Sequence, residues 1–394
     1  MHPVWRVQFD KQISVKEKHM IERNKLDLWY DRKYPLYDLS SNGICPNPEY
    51  VSLMVENLSN TNMFELCEYY GDTNGNEALI SSLCQKYNCD TDNILITNGA
   101  SEALYIVLQV FANQNCDIVY QIPYYQNLDS LILQIGNSPI RYHLDANDNF
   151  EFSIDHFKRN ITADTELVIL NFPNNPTGAI LQDNDYKKII DLASIYNFKI
   201  LFDEVSIEIA YQNQCYFIEK NITKTLEHTI CINSMSKAFG FAGLRIGWIV
   251  ADDSFIRHCQ IIKESLSVSS APLSQFIANE LLKKQDYMLK NNIKQVKDNL
   301  NFLLLKSNSL NNYLSVIIPK GGACCLIEIL IDIDVDQFCT DLYNSKSILV
   351  APGSVFGYKN CIRLGLGAEN TIFRTAIEIF LDFIVKYKNT TNEC

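Results

Sequence analysis

The stretch Ser234-Met235-Ser236-Lys237-Ala238-Phe239-Gly240-Phe241-Ala242-Gly243-Leu244-Arg245-Ile246-Gly247 sets one lysine among small residues and one arginine eight positions beyond it. Glycines and an alanine interrupt any helical period between the two. A lysine held this way forms an imine with a carbonyl cofactor once it is desolvated and loses its proton. Ser234 offers a hydroxyl and Arg245 a guanidinium fork, a pair that suits a phosphate. An imine lysine beside a phosphate holder points to pyridoxal 5'-phosphate (PLP). The same residues also fit a surface loop with a solvated lysine, because short motifs match by chance. The elements around them decide between the two readings.

Short apolar runs lead into polar groups again and again. Asn93 to Thr97 reads as a buried strand that ends in Asn98-Gly99-Ala100-Ser101, before an apolar helix over Glu102 to Phe111. Strand, small turn and helix present free backbone N–H groups to a phosphate. The strand Asp117 to Ile122 closes with Pro123-Tyr124-Tyr125, where an aromatic stacks on a flat ring or plugs the core. Glu166 to Leu170 runs into Asn171-Phe172-Pro173-Asn174-Asn175-Pro176-Thr177-Gly178, and the prolines fix Asn175 in a defined loop. Lys199 to Phe202 ends in Asp203-Glu204, an acid placed for a cationic partner or for a helix cap. Thr229 to Asn233 leads into the lysine stretch. Upstream, Asp38 to Gly43 is a small-residue loop, and Tyr69-Tyr70-Gly71-Asp72-Thr73-Asn74-Gly75 precedes a helix-like run over Asn76 to Tyr87.

Strands alternating with helices, with polar groups at the strand ends, define a doubly wound α/β domain. After about residue 270 the pattern changes. Long amphipathic helices over Gln275 to Leu305 lead to Leu314 to Pro319, then to the strand-like Cys324 to Ile331, to Ile348 to Gly353 and to the run Cys361 to Gly367. A last helix spans Thr371 to Lys386. The expected organisation is an arm over 1–45, a large domain over 46–270 and a smaller α+β domain over 271–394.

The chain of 394 residues exceeds the usual ceiling for one core, and 47% hydrophobic with 20% charged residues is ordinary for a soluble protein. A net charge of -12 argues against nucleic acid, which needs a basic face. No apolar run approaches the ~18 residues of a membrane span, and Met1 to Asp10 lacks a signal-like core. The 13 cysteines lack zinc-site spacing, so we expect reduced thiols in a cytoplasmic protein.

Taken in order, Tyr70 to Gly75, Asn98 to Ser101, Pro123 to Tyr125, Asn174 to Gly178, Asp203-Glu204, Ser234 with Lys237 and Arg245, and Arg363 resemble the class I/II aminotransferase family. These are fold type I PLP enzymes, and the likeness spans about residues 38 to 385. The resemblance implies that Lys237 carries PLP and moves the Cα proton. It implies that Asp203 faces the ring nitrogen, Asn175 the ring hydroxyl and Tyr125 the ring face. Ala100, Ser101, Ser234 and Arg245 would cradle the phosphate. Tyr70 would reach the phosphate of a second subunit, which implies a homodimer with shared sites. Arg363 and the backbone at Gly43 would bind the α-carboxylate of an amino acid. One position departs from the family pattern: ordinary members have a tyrosine three residues after the aspartate, and this chain has Ser206.

A finer resemblance is to the capreomycidine synthase-like cyclases and the enduracididine-forming ones. It rests on Leu28-Trp29-Tyr30, Ser40 to Gly43, Gly99 to Tyr105, Asn171 to Pro176, Ser267 to Leu273 and Val350 to Gly357. That likeness implies cyclisation of a hydroxylated arginine, with ordinary transamination as the alternative. A guanidinium substrate would meet an acid, for which Glu102, Asp27, Glu65 and Glu68 are candidates, Glu102 ahead of the others. Solvated helix acids account for the same residues. A noncatalytic regulator with a PLP-type domain is a further class. It would carry a basic helix-turn-helix, which the short N-terminal arm lacks.

Overall fold

The computed structural model describes residues 25–32, 35–125, 128–211 and 222–391. In chain order its strands are β1 (Tyr37–Asp38), β2 (Ile94–Thr97), β3 (Asp117–Ile122), β4 (Ser138–His143), β5 (Thr165–Asn171), β6 (Lys199–Asp203), β7 (Thr229–Ser234) and β8 (Gly247–Val250). Then follow β9 (Leu314–Ile317), β10 (Cys324–Ile329), β11 (Ile348–Leu349), β12 (Ala351–Pro352) and β13 (Cys361–Gly365). Seven strands form one sheet in the order β2-β8-β7-β6-β5-β3-β4. Within it β8 is antiparallel to both neighbours, and the pairs from β7 to β4 are parallel. A second, antiparallel sheet has the order β12-β13-β10-β9, and β1 pairs with β11.

The large sheet is buried on both faces, and the strand sequences say why. Leu167 and Ile169 of β5 join one apolar cluster, while Val168 and Leu170 join the other. Leu201 of β6 and Leu95 of β2 are divided in the same way from Ile200, Phe202, Ile94 and Ile96. Side chains alternate across a strand, so a continuous apolar run needs helices on both sides. This is the doubly wound α/β fold expected from the sequence.

Two strands of this sheet escape sequence reading. β4 reads Ser-Pro-Ile-Arg-Tyr-His, and only Tyr142 is buried. It is an edge strand, where a proline is tolerated and the apolar signal is weak. β8 has four residues and starts on the glycine that ends the lysine stretch. The helices expected over Gln275 to Leu305 are Pro272–Leu282 and Gln285–Ser307. Pro272 opens the first of these helices, where its missing N–H costs nothing. That helix packs on Pro48–Ser59, Met63–Cys67 and Glu77–Tyr87, whereas Gln285–Ser307 packs on the final helix Asn370–Thr391. Among the described residues, no helix is long and apolar enough to cross a membrane.

Sheet register brings the motifs to one rim. Gly247 pairs with both Thr97 and Ser234, so the turn after β2 lies beside the end of β7. Asn171 pairs with Asp203 at the neighbouring strand ends. Arg363 lies on β13, opposite Leu326 of β10 and Ala351 of β12.

Candidate active site

The phosphate end is built from two close backbone approaches. Gly99 has φ +85°, and a Cβ there would lie 2.4 Å from Arg245 Nη2. A Cβ on Gly247 would lie 2.5 Å from the Gly99 carbonyl carbon and 2.7 Å from Ala100 N. Only glycine serves at either position. Arg245, itself in the left-handed region at φ 51°, donates from Nη2 to Asn98 O (3.3 Å) and from Nη1 to Ala242 O (3.1 Å). One guanidinium therefore ties the two glycine-rich turns together. The helix Ala100–Val110 begins here without a side-chain cap. Its first N–H groups, Arg245 and the Ser234 and Ser236 hydroxyls form a set that suits a dianionic phosphate.

The centre holds a buried carboxylate, Asp203, and a partly buried lysine, Lys237. Tyr124 donates its hydroxyl to Asp203 Oδ2 at 2.8 Å, and Val205 N–H donates to Oδ1 at 3.3 Å. Burial raises the Asp203 carboxyl to about 6, against the lowering effect of these bonds and of Lys237. Desolvation lowers the Lys237 ammonium to about 8, and the Arg363 guanidinium adds to the effect. Asn171 spaces the group. Its Nδ2 donates to Asp203 O (3.0 Å), and its Oδ1 accepts from Asn175 N (2.9 Å).

At the far end Arg363 is 1% exposed. Its Nη1 donates to Asn175 Oδ1 at 3.0 Å, and its Nη2 donates to the Tyr30 hydroxyl and to Ser40 O. The Phe356 ring lies 4.9 Å from the guanidinium carbon. Cys324 Sγ sits 3.8 Å from Asn175 Oδ1.

Ala100, Ser101, Tyr125, Asn175, Asp203, Ser206, Ser234, Lys237, Arg245 and Arg363 line a single cavity of about 430 Å³. That volume lies in the range of small-molecule sites. Arg363 Nε and Asn42 Oδ1 are buried there without a hydrogen-bond partner. Leaving a buried polar atom unmet costs ~1–3 kcal/mol, so both fit a site whose ligand supplies partners. Gly43 stands just outside the lining. A Cβ on it would lie 3.8 Å from Lys237 Cδ, and its N–H donates to Ser41 Oγ at 3.1 Å. Tyr70 is 86% exposed and away from this cavity.

Glu102 requires a correction. Its carboxylate turns back to accept from Asn98 N and, at 3.1 Å, from Asn98 Nδ2, and it does not line the cavity. It ties the first turn of the helix to Asn98, the loop residue ahead of Gly99. Glu68 is exposed at the end of the helix Met63–Cys67. The side chains of Asp27 and Glu65 lie outside the described residues. Among the described lining residues, Asp203 is the only carboxylate. The expected acid for a guanidinium is therefore not in the cavity of this protomer as described. Sequence reading also passed over Tyr124, Asn171, Tyr30, Asn42 and Ser236. All five stand inside stretches already singled out, and their signal was a polar tip near a named residue.

A doubly wound domain with a lysine, an acid and a phosphate cup on its strand ends, facing an arginine from a second sheet, is the arrangement of a fold type I PLP-dependent enzyme. The family model for "Aminotransferase class I and II" matches residues 38–379, and the chain belongs to that family. Capreomycidine synthase of Streptomyces vinaceus is 24% identical over 296 residues, 75% of this chain and 75% of that one. An aspartate aminotransferase of Bacillus sp. (strain YM-2) is 24% identical over 322 residues, 78% of this chain and 82% of that one. The crystal structure of a PLP-dependent aminotransferase from Streptococcus suis superposes with a TM-score of 0.84 at 22% identity, covering 93% of this chain and 98% of that one. The cofactor is pyridoxal 5'-phosphate, and the residues present fit it.

Proposed function

We propose that this PLP-dependent enzyme acts on a hydroxylated arginine and closes it to a cyclic guanidino amino acid. The observation that carries the reading is Ser206. It is buried in the cavity wall three positions after Asp203, where ordinary members of the family have a tyrosine. A serine hydroxyl does not reach as far as a phenol, so the cofactor hydroxyl is left chiefly to Asn175. The likeness to capreomycidine synthase supports the same direction.

Bound PLP supplies an electron sink for the charge left at Cα. The chain supplies everything else. Ala100, Ser101, Ser234 and Arg245 would hold the phosphate, Tyr125 would cover the ring, and Asp203 would keep the ring nitrogen protonated. Arg363 holds the α-carboxylate and orients the Cα–H bond. Lys237 Nζ takes the Cα proton and returns it, a role its lowered basicity suits at near-neutral pH. The net change is the loss of one water. The side-chain hydroxyl leaves, a guanidine nitrogen bonds to the carbon chain, and that nitrogen gives up one proton. A γ-hydroxyl requires a second proton transfer, at Cβ, before it leaves.

Transamination is the second reading, favoured by aspartate aminotransferases among the relatives. The cavity charges weigh against an acidic substrate. Its described cations are Lys237, Arg245 and Arg363, and the phosphate and the α-carboxylate occupy both guanidiniums. None remains in one protomer for a second carboxylate. The deciding experiment incubates holoenzyme with arginine, β-hydroxyarginine and γ-hydroxyarginine, each with and without a 2-oxo acid. Cyclisation gives a product from a hydroxylated substrate in both arms, while dependence on the oxo acid overturns the proposal.

We infer further that two copies share their sites, with Tyr70 entering the partner's phosphate cup. Tyr70 is held by neither its own cavity nor its own core, and Phe64 and Tyr69 beside it are likewise exposed.

A further inference from the structure

The hydrogen bonds of Arg363 leave its carboxylate fork closed. A guanidinium has five N–H groups, two on each Nη and one on Nε. A bidentate carboxylate takes two parallel N–H groups along one edge, either Nε with Nη2 or Nη1 with Nη2. Both edges include Nη2. In this structure Nη2 donates both its protons, one to the Tyr30 hydroxyl and one to Ser40 O. Nε–H, meanwhile, is buried without a partner. The arginine that should grip the substrate therefore has a free N–H on Nε and no free neighbour on Nη2 to complete the pair.

The two Nη2 partners differ in kind: Ser40 O belongs to a buried stretch of backbone and the Tyr30 hydroxyl to a partly exposed side chain. Ser40 is held by its N–H and hydroxyl on Asp38 Oδ1 (2.9 and 2.6 Å). The residue before it is bonded to the sheet on both sides, through Leu39 N to Leu349 O (2.8 Å) and Gly365 N to Leu39 O (2.7 Å). Tyr30 is the last residue of the six-residue helix Lys25–Tyr30 and is 38% exposed. Trp29 Nε1 donates to Val350 O at 2.6 Å and anchors that helix. The Tyr30 hydroxyl, besides accepting from Nη2, donates to Ser40 O at 3.1 Å; because the side chain is partly exposed, turning it out while its helix stays exchanges both bonds for water.

We infer that Tyr30 is a placeholder and a specificity-determining residue. Its hydroxyl occupies Arg363 Nη2 until a substrate α-carboxylate displaces it and pairs with Nε and Nη2. The exchange replaces a neutral acceptor with a charged one and satisfies the unmet Nε–H. An amine without the carboxylate leaves Tyr30 in place. The inference rests on the reading that the cavity binds α-amino acids.

The test is a spectral titration of wild-type and Tyr30→Phe holoenzyme with two pairs of probes, L-arginine against agmatine and L-alanine against ethylamine. Phenylalanine keeps the ring and removes only the competing hydroxyl. Tyr30→Phe should bind the amino acids about three- to tenfold more tightly, the size of one hydrogen bond, and the amines unchanged. Equal thermal unfolding midpoints will show that the fold is intact. An unchanged ratio of amino acid to amine, or amino acids bound more weakly, overturns the inference alone. A wild-type enzyme silent toward both amino acids overturns the amino-acid reading and the inference with it.

Discussion

That Lys237 and Asp203 line one cavity was legible from sequence because each stands at or just past the end of a buried strand. Their partners are less so. Two adjacent tyrosines close β3, and nothing in the letters says that Tyr124 turns inward to Asp203 while Tyr125 lines the cavity. Glu102 shows the opposite error. It stands three residues after Gly99, a position from which a glutamate reaches back past the helix start, and here it accepts from Asn98 N. The residue-scale prediction concerns the lysine. Lys237→Ala should abolish turnover, by at least ~10³-fold as expected for loss of a proton-transfer group, while the folded protein retains PLP noncovalently. Activity assays and absorbance of the dialysed variant check this, and substantial residual turnover contradicts the role given to Lys237.

Elements were legible wherever burial imposes a continuous apolar run. β3 has the expected bounds, and β5, β6 and β7 extend theirs by no more than a residue at either end, because both faces of those strands are covered. β4 was missed because an edge strand need not be apolar, and the helices expected from Gln275 begin three residues earlier, at Pro272. The turn after β2 is the element on which the phosphate cup depends. Gly99→Ala adds a Cβ where Arg245 Nη2 stands 2.4 Å away and asks a non-glycine residue to hold φ +85°. Its PLP affinity should fall about tenfold or more, with the strain costing ~1–2 kcal/mol. Equilibrium dialysis against PLP measures this. Wild-type affinity in that variant would show that the turn does not hold the phosphate.

At the scale of the molecule, two sheets meet across one cavity, and Arg363 from the small sheet faces Lys237 from the large one. Tyr70, expected to serve a second subunit, stands in one protomer as an exposed tyrosine outside the cavity lining. Shared sites predict complementation. Mixed Lys237→Ala and Tyr70→Ala subunits should recover about a quarter of wild-type activity, because half the dimers are hybrids with one intact site. Recovery no greater than the sum of the separate variants would place each site within one chain. The most direct test of the whole account is the mass of the product formed from β- or γ-hydroxyarginine by purified holoenzyme with no 2-oxo acid. The account predicts a product one water lighter, with the amino group retained. Unchanged substrate in that tube, converted to a keto acid only after a 2-oxo acid is added, would contradict it.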